Sequence, residues 1–373
     1  MRAGRTSSSS DPGSVGSGSI VAILGLTLEV WVLFVVAAAA GGAFGAAIGA
    51  LPALSISGLL VVIGEATGDG LSAVLTGALP TGQQLPTLTG LGPVFGPQVA
   101  FAGGIAAAAY ASRKGYMDTD FEYYEAKNIA RPLGARPDVL TVGAAFGVFG
   151  VVVWRVVSAV GLPIDPIFTA VALSAIVHRL VLGFPLLGTP TDGGWLDMSA
   201  FRRENVATAA MGGEVLSGGG DRARHGDRLT VEPWLPHQYE WGSVVAIGLV
   251  GGVIGAYLAL STGSLFLAFG ISAASLLFLS MGLLDVPVTH HVTLPASLAA
   301  LAFIAGGAQS LPLALVVGTI FGLVSALVAE GTQRIFYAHA DTHFDAAAVG
   351  ILVTTLLVGL LIEAGLLGNV AWF

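Results

Sequence analysis

The stretch Leu28–Ala50, LEVWVLFVVAAAAGGAFGAAIGA, carries one charge, Glu29, and nine more apolar runs follow it. A helix that crosses a bilayer needs ~20 apolar residues, because no water inside the membrane can satisfy an exposed backbone. The ten runs lie near 27–50, 53–66, 95–112, 139–160, 165–185, 242–260, 263–284, 291–306, 311–330 and 345–367. No single soluble core could hide this much apolar surface. Only 10% of the chain is charged, against about 25% in a soluble domain, and mean hydropathy is +0.83. The expected fold is an all-α integral membrane protein of about ten transmembrane helices, some of them broken or re-entrant.

Other classes fall away on composition. The chain has no cysteine, which removes disulfide and thiolate chemistry. It has no basic tract to neutralise a phosphate backbone, so no nucleic acid is expected. It has no phosphate-binding glycine loop, so any transport would be passive, ion-coupled or energised by a separate subunit. Thirteen arginines stand against two lysines with a net charge of −8, a bias that fits a GC-rich genome and a salt-adapted archaeon. Fifty-three glycines let helices approach closely, which predicts a dense bundle and homo-oligomers through Gly-rich faces in the lipid bilayer.

Four regions follow: a polar, disordered tail at 1–19, a first membrane repeat at 20–185, a polar linker at 186–241 and a second repeat at 242–373. The linker contains WLDMSAFRRENVATAAM, a candidate interfacial helix, and Trp234, Tyr239 and Trp241, which suit a membrane interface. Positive charge sets orientation. Arg113, Lys114, Lys127, Arg131 and Arg136, then six arginines within 179–241, then Arg334 all fall on one side of a ten-span chain. That side is cytoplasmic, so both termini are extracellular and the protein is a multi-pass cell-membrane protein. Arg2 and Arg5 fit this poorly. A re-entrant second segment would move the N-terminus inside.

The two membrane regions echo each other in order. GGAFGA at Gly41–Ala46 matches GGVIGA at Gly251–Ala256, and ALSISGLL at Ala53–Leu60 matches ALSTGSLF at Ala259–Phe266. GAAFGVFG at Gly143–Gly150 matches GTIFGLVS at Gly318–Ser325, and IDPIFTAVA at Ile164–Ala172 aligns with FDAAAVGIL at Phe344–Leu352. Each half holds five spans, an odd number, so two halves in series point in opposite directions. The plan is a 5+5 inverted-topology repeat, and it resembles five-plus-five inverted-repeat transporters and channels. That resemblance implies a site near the midplane between the repeats, lined by broken helices.

The candidate pathway residues follow from this register. Ser55, Ser57, Ser261, Thr262 and Ser264 carry hydroxyls near predicted helix breaks, where they could replace lost backbone bonds, coordinate a solute or simply cap a turn. Gln98 in FGPQVAF corresponds to His291 in THHVTLP, two polar residues at helix starts beside prolines. Arg155 and Glu330 are ionisable groups at corresponding positions inside spans. They could gate a pathway, pair, or reach to the nearest interface. Asp165 and Asp345 are the expected N-caps of the fifth and tenth spans.

All seven histidines fall on the predicted cytoplasmic side or at its edge. His290, His291, His339, Asp341 and His343 have the chemistry for zinc or another divalent metal, although no HExxH pattern supports it. Three functions are thus in view: movement of a small solute or ion between two repeats, a non-transporting membrane subunit or scaffold, and an intramembrane metalloenzyme.

Overall fold

The computed structural model describes residues 27–67, 88–117, 126–188, 190, 194–198, 238–283 and 286–370. The expected tail at 1–19, most of the candidate interfacial helix and Trp234 lie outside them. The regular structure of the described residues is all helical, with no strand. α1 (Leu28–Ile48) and α2 (Ala50–Thr67) are followed by a single turn at Leu88–Leu91 and a π-helical turn at Pro97–Phe101. That turn continues into α3 (Ala102–Arg113), and α4 (Pro137–Val160) and α5 (Pro166–Val181) complete the first half. The second half has α6 (Trp241–Thr262), α7 (Leu267–Ser280), α8 (His290–Ala305), α9 (Leu311–Thr332) and α10 (Ala346–Glu363). A second π-helical turn, Gln333–Ala338, extends α9.

Five of these segments are long and apolar enough to cross a membrane: Leu28–Ile48, Pro137–Val160, Trp241–Thr262, Leu311–Ala338 and Ala346–Glu363. The helices at Ala50–Glu65, Pro166–Val181, Leu267–Ser280 and His290–Ala305 are apolar but shorter. At 1.5 Å per residue a 16-residue helix such as α8 spans only about 24 Å. Such helices begin or end inside the bundle unless they tilt little and the bilayer thins.

Polar side chains set the helix starts. Thr27 accepts a bond from the Val30 amide and Ser310 from the Leu313 amide. Asp165 takes the Phe168 amide at 2.8 Å with Pro166 at the first helical position, and Asp345 takes the Ala348 amide at 2.8 Å. α4 and α6 end on Gly161 and Gly263 in the left-handed region, at φ 69° and 74°, where a side chain would be strained. Both aspartate caps are buried. Asp165→Ala or Asp345→Ala is expected to lower stability by about 1 kcal/mol or somewhat more, measured as a lower thermal midpoint in detergent.

Glycines then decide which helices touch. A Cβ on Gly42 would run into the Gly143 carbonyl, and one on Gly147 into the Ala38 carbonyl, so α1 and α4 cross backbone to backbone. α6 and α9 do the same through Gly252, Gly322 and Thr319. Gly45 lies against the Ala100 carbonyl just ahead of α3, as Gly255 lies against the Thr293 carbonyl in α8. These glycines are used up inside the chain.

The pairings of 28–181 recur in 241–363. In each, the first helix packs on the third and fourth, the third on the fourth and fifth, and the fourth on the fifth. The sets meet where α2 packs on α7 and α5 on α10. At the first contact Gly58 meets Gly270, Ala273 and Ala274. At the second the helices are antiparallel: the Asp165 amide before α5 donates to Thr355 deep in α10, while Arg179 late in α5 reaches Thr342 before α10.

One sequence match does not share a place in the fold. Ala53–Leu60 lies inside α2, whereas Ala259–Phe266 forms the last turn of α6 and the link to α7. Small residues recur wherever helices approach closely, so this match reports packing demand and not position.

Candidate functional site

α3 and α8 are among the helices that start inside the protein. The Pro97–Phe101 turn that opens α3 is fully buried, and so are His290, His291 and the rest of the first turns of α8. Their surroundings correspond. Gly150 of α4 sits against the Gln98 carbonyl so closely that a Cβ there would overlap it. At the matching place in α9, Ser325 donates its hydroxyl to the His291 carbonyl at 2.5 Å. That bond has a specific cause. Pro295 lies inside α8 and has no N–H, so the carbonyl four residues back, His291, loses its helical donor. The Ser325 hydroxyl takes over, as needed where no water is at hand.

Gln98 donates to the Leu91 carbonyl at 3.0 Å, leaving Oε1 without a hydrogen-bond partner in a fully buried site. Ser57 steadies the same chain segment through the Gly90 carbonyl at 2.5 Å. In the second half the start of α8 opens on a cavity of about 30 Å³. Its polar wall is Gln238, His291, Glu330, Gln333 and Tyr337, and apolar side chains of α6, α9 and α10, with Val288 and Phe344 beside them, close the rest. Glu330 is buried and held on both oxygens, by Arg334 at 2.6 Å and by Gln333 at 3.0 Å. Arg334 also donates to the Leu196 and Tyr239 carbonyls at 3.0 and 2.6 Å and stacks 4.4 Å from the centre of the Trp241 ring. The Gln238 amide pairs with both the N–H and the C=O of Val288, at 3.0 and 2.9 Å. The cavity wall is therefore stitched to both ends of the polar linker.

A second buried polar group lies where α5 ends and α10 begins. Arg179 is fully buried and makes four hydrogen bonds, to the Thr342 hydroxyl and to the carbonyls of Leu186, Phe336 and Thr342, all 2.7–3.0 Å. Lys127 reaches the Ala338 carbonyl at 3.4 Å and lies 4.6 Å from the centre of the Tyr337 ring. His343 stands edge-on to Phe101 and Tyr337. Burial first, then His178, Arg179 and Lys127 nearby, hold its imidazole well below the ordinary range.

The residues singled out from sequence are distributed unevenly over these sites. His291 and Glu330 share the cavity. Arg155 does not meet Glu330; it is half-buried on α4, 5.7 Å from the centre of the Trp154 ring. Ser55 bonds back to the Leu51 carbonyl within α2. Ser261 and Thr262 are exposed at the end of α6, and Ser264 caps the first turn of α7 through the Phe266 and Leu267 amides. His290 packs against Phe269 and His291, and His339 against Trp195. Asp341 is half-buried in the turn before α10. Among the described residues no three His, Asp or Glu side chains gather closely enough to hold a metal ion. The five candidate ligands therefore do not form one centre.

Arg179, Lys127, Gln238 and Gln333 carry much of this architecture and were not singled out. The one signal was charge in an apolar context: His178 and Arg179 close a helix that is otherwise apolar.

The described residues form an all-α fold with five apolar helices long enough to span a membrane and buried polar groups at helix starts, which is compatible with a membrane protein. The chain belongs to the family of unknown function DUF7973, which it matches over residues 23–373. No curated protein and no solved structure matches it.

Proposed function

We propose that the chain is a multi-pass cell-membrane transporter or channel for a small solute or ion, built as ten helices in a 5+5 inverted-topology repeat. The observation that carries the reading is the pair of helices that start inside the bundle, at Gln98 and His291, in matching settings against α4 and α9. Helices that start at depth aim unsatisfied N–H groups and polar side chains into the interior, which suits a binding site and serves no purpose in a plain helical anchor. The recurring helix pairings and the antiparallel run of α5 and α10 support two oppositely directed halves.

Orientation follows from which loops are tied together. Arg113 bonds the Gly183 carbonyl, the Leu133 amide bonds Ala46, the His343 amide bonds Ala126, and Arg334 bonds Tyr239. These bonds support a reading in which the described ends of the basic loops lie at one end of the bundle, and by the positive-inside rule we take that end as cytoplasmic. Both termini then lie outside.

Two experiments test this. A tag at either terminus of the intact-cell protein is expected to be labelled by an impermeant reagent without lysis, and a tag between 199 and 237 only after lysis. An N-terminus labelled only after lysis overturns the ten-span topology. Purified protein in liposomes is expected to raise permeation of at least one small solute or ion above protein-free vesicles. Vesicles that gain nothing across such a panel would favour the scaffold reading.

A further inference from the structure

Glu330 is buried in the last turn of α9 and lines the cavity. An ionisable group inside a spanning segment is expensive, and where one is kept it commonly carries protons or ions. The other buried acids among the described residues, Asp165 and Asp345, cap α5 and α10. Glu330 caps nothing. Its Oε1 accepts from Arg334 Nε at 2.6 Å and its Oε2 from Gln333 Nε2 at 3.0 Å. The cavity is partly open and mostly apolar, and a proton needs no more room in it than a passing water. Few titratable groups face Glu330. Arg334 and Tyr337 come from the turn that extends α9, and His291 from the start of α8, while α6 and α10 turn only apolar side chains to the cavity. Arg334 stands outside the cavity wall and joins Glu330 to the linker. Its Nη1 donates to the Leu196 carbonyl at 3.0 Å and its Nη2 to the Tyr239 carbonyl at 2.6 Å. One guanidinium thus holds both sides of the linker at a single point. Arg334 is itself buried, so it depends on the carboxylate for its counter-charge.

We propose that Glu330 is a proton-binding site whose protonation releases Arg334 and, with it, the Leu196 and Tyr239 carbonyls. One carboxylate oxygen gains a proton, the side chain loses its charge, and no other covalent bond changes. A buried guanidinium left without a counter-charge is unfavourable, so Arg334 turns out toward water. Glu330 stays in the wall because α9 carries it, and there a neutral acid is less costly than an unpaired carboxylate. The two events are linked. The clasp is closed while Glu330 is ionised and is lost as pH falls, and an open clasp in turn favours the proton. On the transport reading above, this makes the proton the coupling ion.

The test uses the full chain in lipid bilayers with no solute added. The sequence has no cysteine, so Leu196→Cys with Gly242→Cys gives a clean pair for spin labels. Leu196 is exposed, and a Cβ at Gly242 meets nothing within 4 Å. Pulsed EPR is expected to give one narrow distance at about pH 8 and a broad, longer distribution at about pH 5. Over the same range, infrared spectra are expected to gain a protonated-carboxyl band that is missing in Glu330→Gln. Glu330→Gln, which mimics the protonated acid, is expected to show the broad distribution at both pH values. Arg334→Gln is expected to do the same, with the Glu330 band already present at about pH 8. An unchanged native distance, a native spectrum without the Glu330 band, or a Glu330→Gln variant that keeps the native pH response overturns the proposal. Should Glu330→Gln fail to fold, the native pH series and Arg334→Gln decide it. These readouts need no permeating solute. Inert vesicles in the permeation experiment would therefore sink the transport reading and leave the proton site to stand or fall on the spectra.

Discussion

Arg179→Met is expected to cost on the order of 4 kcal/mol or more, enough that little folded protein is recovered from detergent. The side chain is fully buried, and four of its five donors are used. Its acceptors come from three places: Leu186 after α5, Phe336 in the turn that ends α9, and Thr342 before α10. Methionine is close in volume but leaves the Phe336 and Thr342 carbonyls and the Thr342 hydroxyl without donors in the junction, while the carbonyl of the exposed Leu186 loses its bond. Each such group forfeits its water without compensation. Arg179→Lys is expected to recover little, because an ammonium is a point donor and cannot reproduce a planar fork that reaches four acceptors. The guanidinium also stacks 5.0 Å from the centre of the Phe344 ring. Recovery by gel filtration and the thermal midpoint of what is recovered provide the measurement. A methionine variant with native yield and midpoint would show that the chain closes this junction without the arginine.

The contrast between Arg179 and the helix caps shows what a sequence like this makes legible. Asp165 and Asp345 act within three residues of their own position, and an aspartate before an apolar run, once with proline next, is a local signal. The helix limits were legible for a similar reason, since apolar runs between polar breaks are local. Gln98 and His291 could be related because Gly143–Gly150 and Gly318–Ser325 keep a shared register against the buried helix starts. Arg179 bonds residues 157 and 163 positions away, and nothing local announces that. Glu330 was legible as a buried suspect, but its partner is Arg334, one helical turn on, and not Arg155, its counterpart in the sequence register. Matching positions in the two halves need not touch, and Arg155 and Glu330 do not. The Ala53–Leu60 and Ala259–Phe266 pair failed because alanine, serine and glycine serve every close crossing alike.

Gly150→Ala tests the buried start of α3 with a single carbon. A Cβ at Gly150 would overlap the Gln98 carbonyl oxygen, a backbone atom that cannot swing aside. Relief requires α4 to withdraw from the Pro97–Phe101 turn. α4 is also held against α1 by contacts of Gly143 and Gly147 with Gly42, so the withdrawal opens that crossing too. Overpacking a tight interior costs about 1–3 kcal/mol and more when backbone must move, so the loss is expected at or above the top of that range. Gly331→Ala supplies the control. It lies in α9 with nothing within 4 Å of the new carbon, and there alanine should gain about 0.5–1 kcal/mol from helix propensity alone. The same substitution is thus expected to have opposite signs at two helical sites. Permeation in liposomes adds a second readout on the transport reading, since displacing Gln98 should impair it where Gly331→Ala does not. If Gly150→Ala melts like the native protein, the close approach of α4 to the Gln98 carbonyl is wrong, and the correspondence between Gln98 and His291 loses its structural basis.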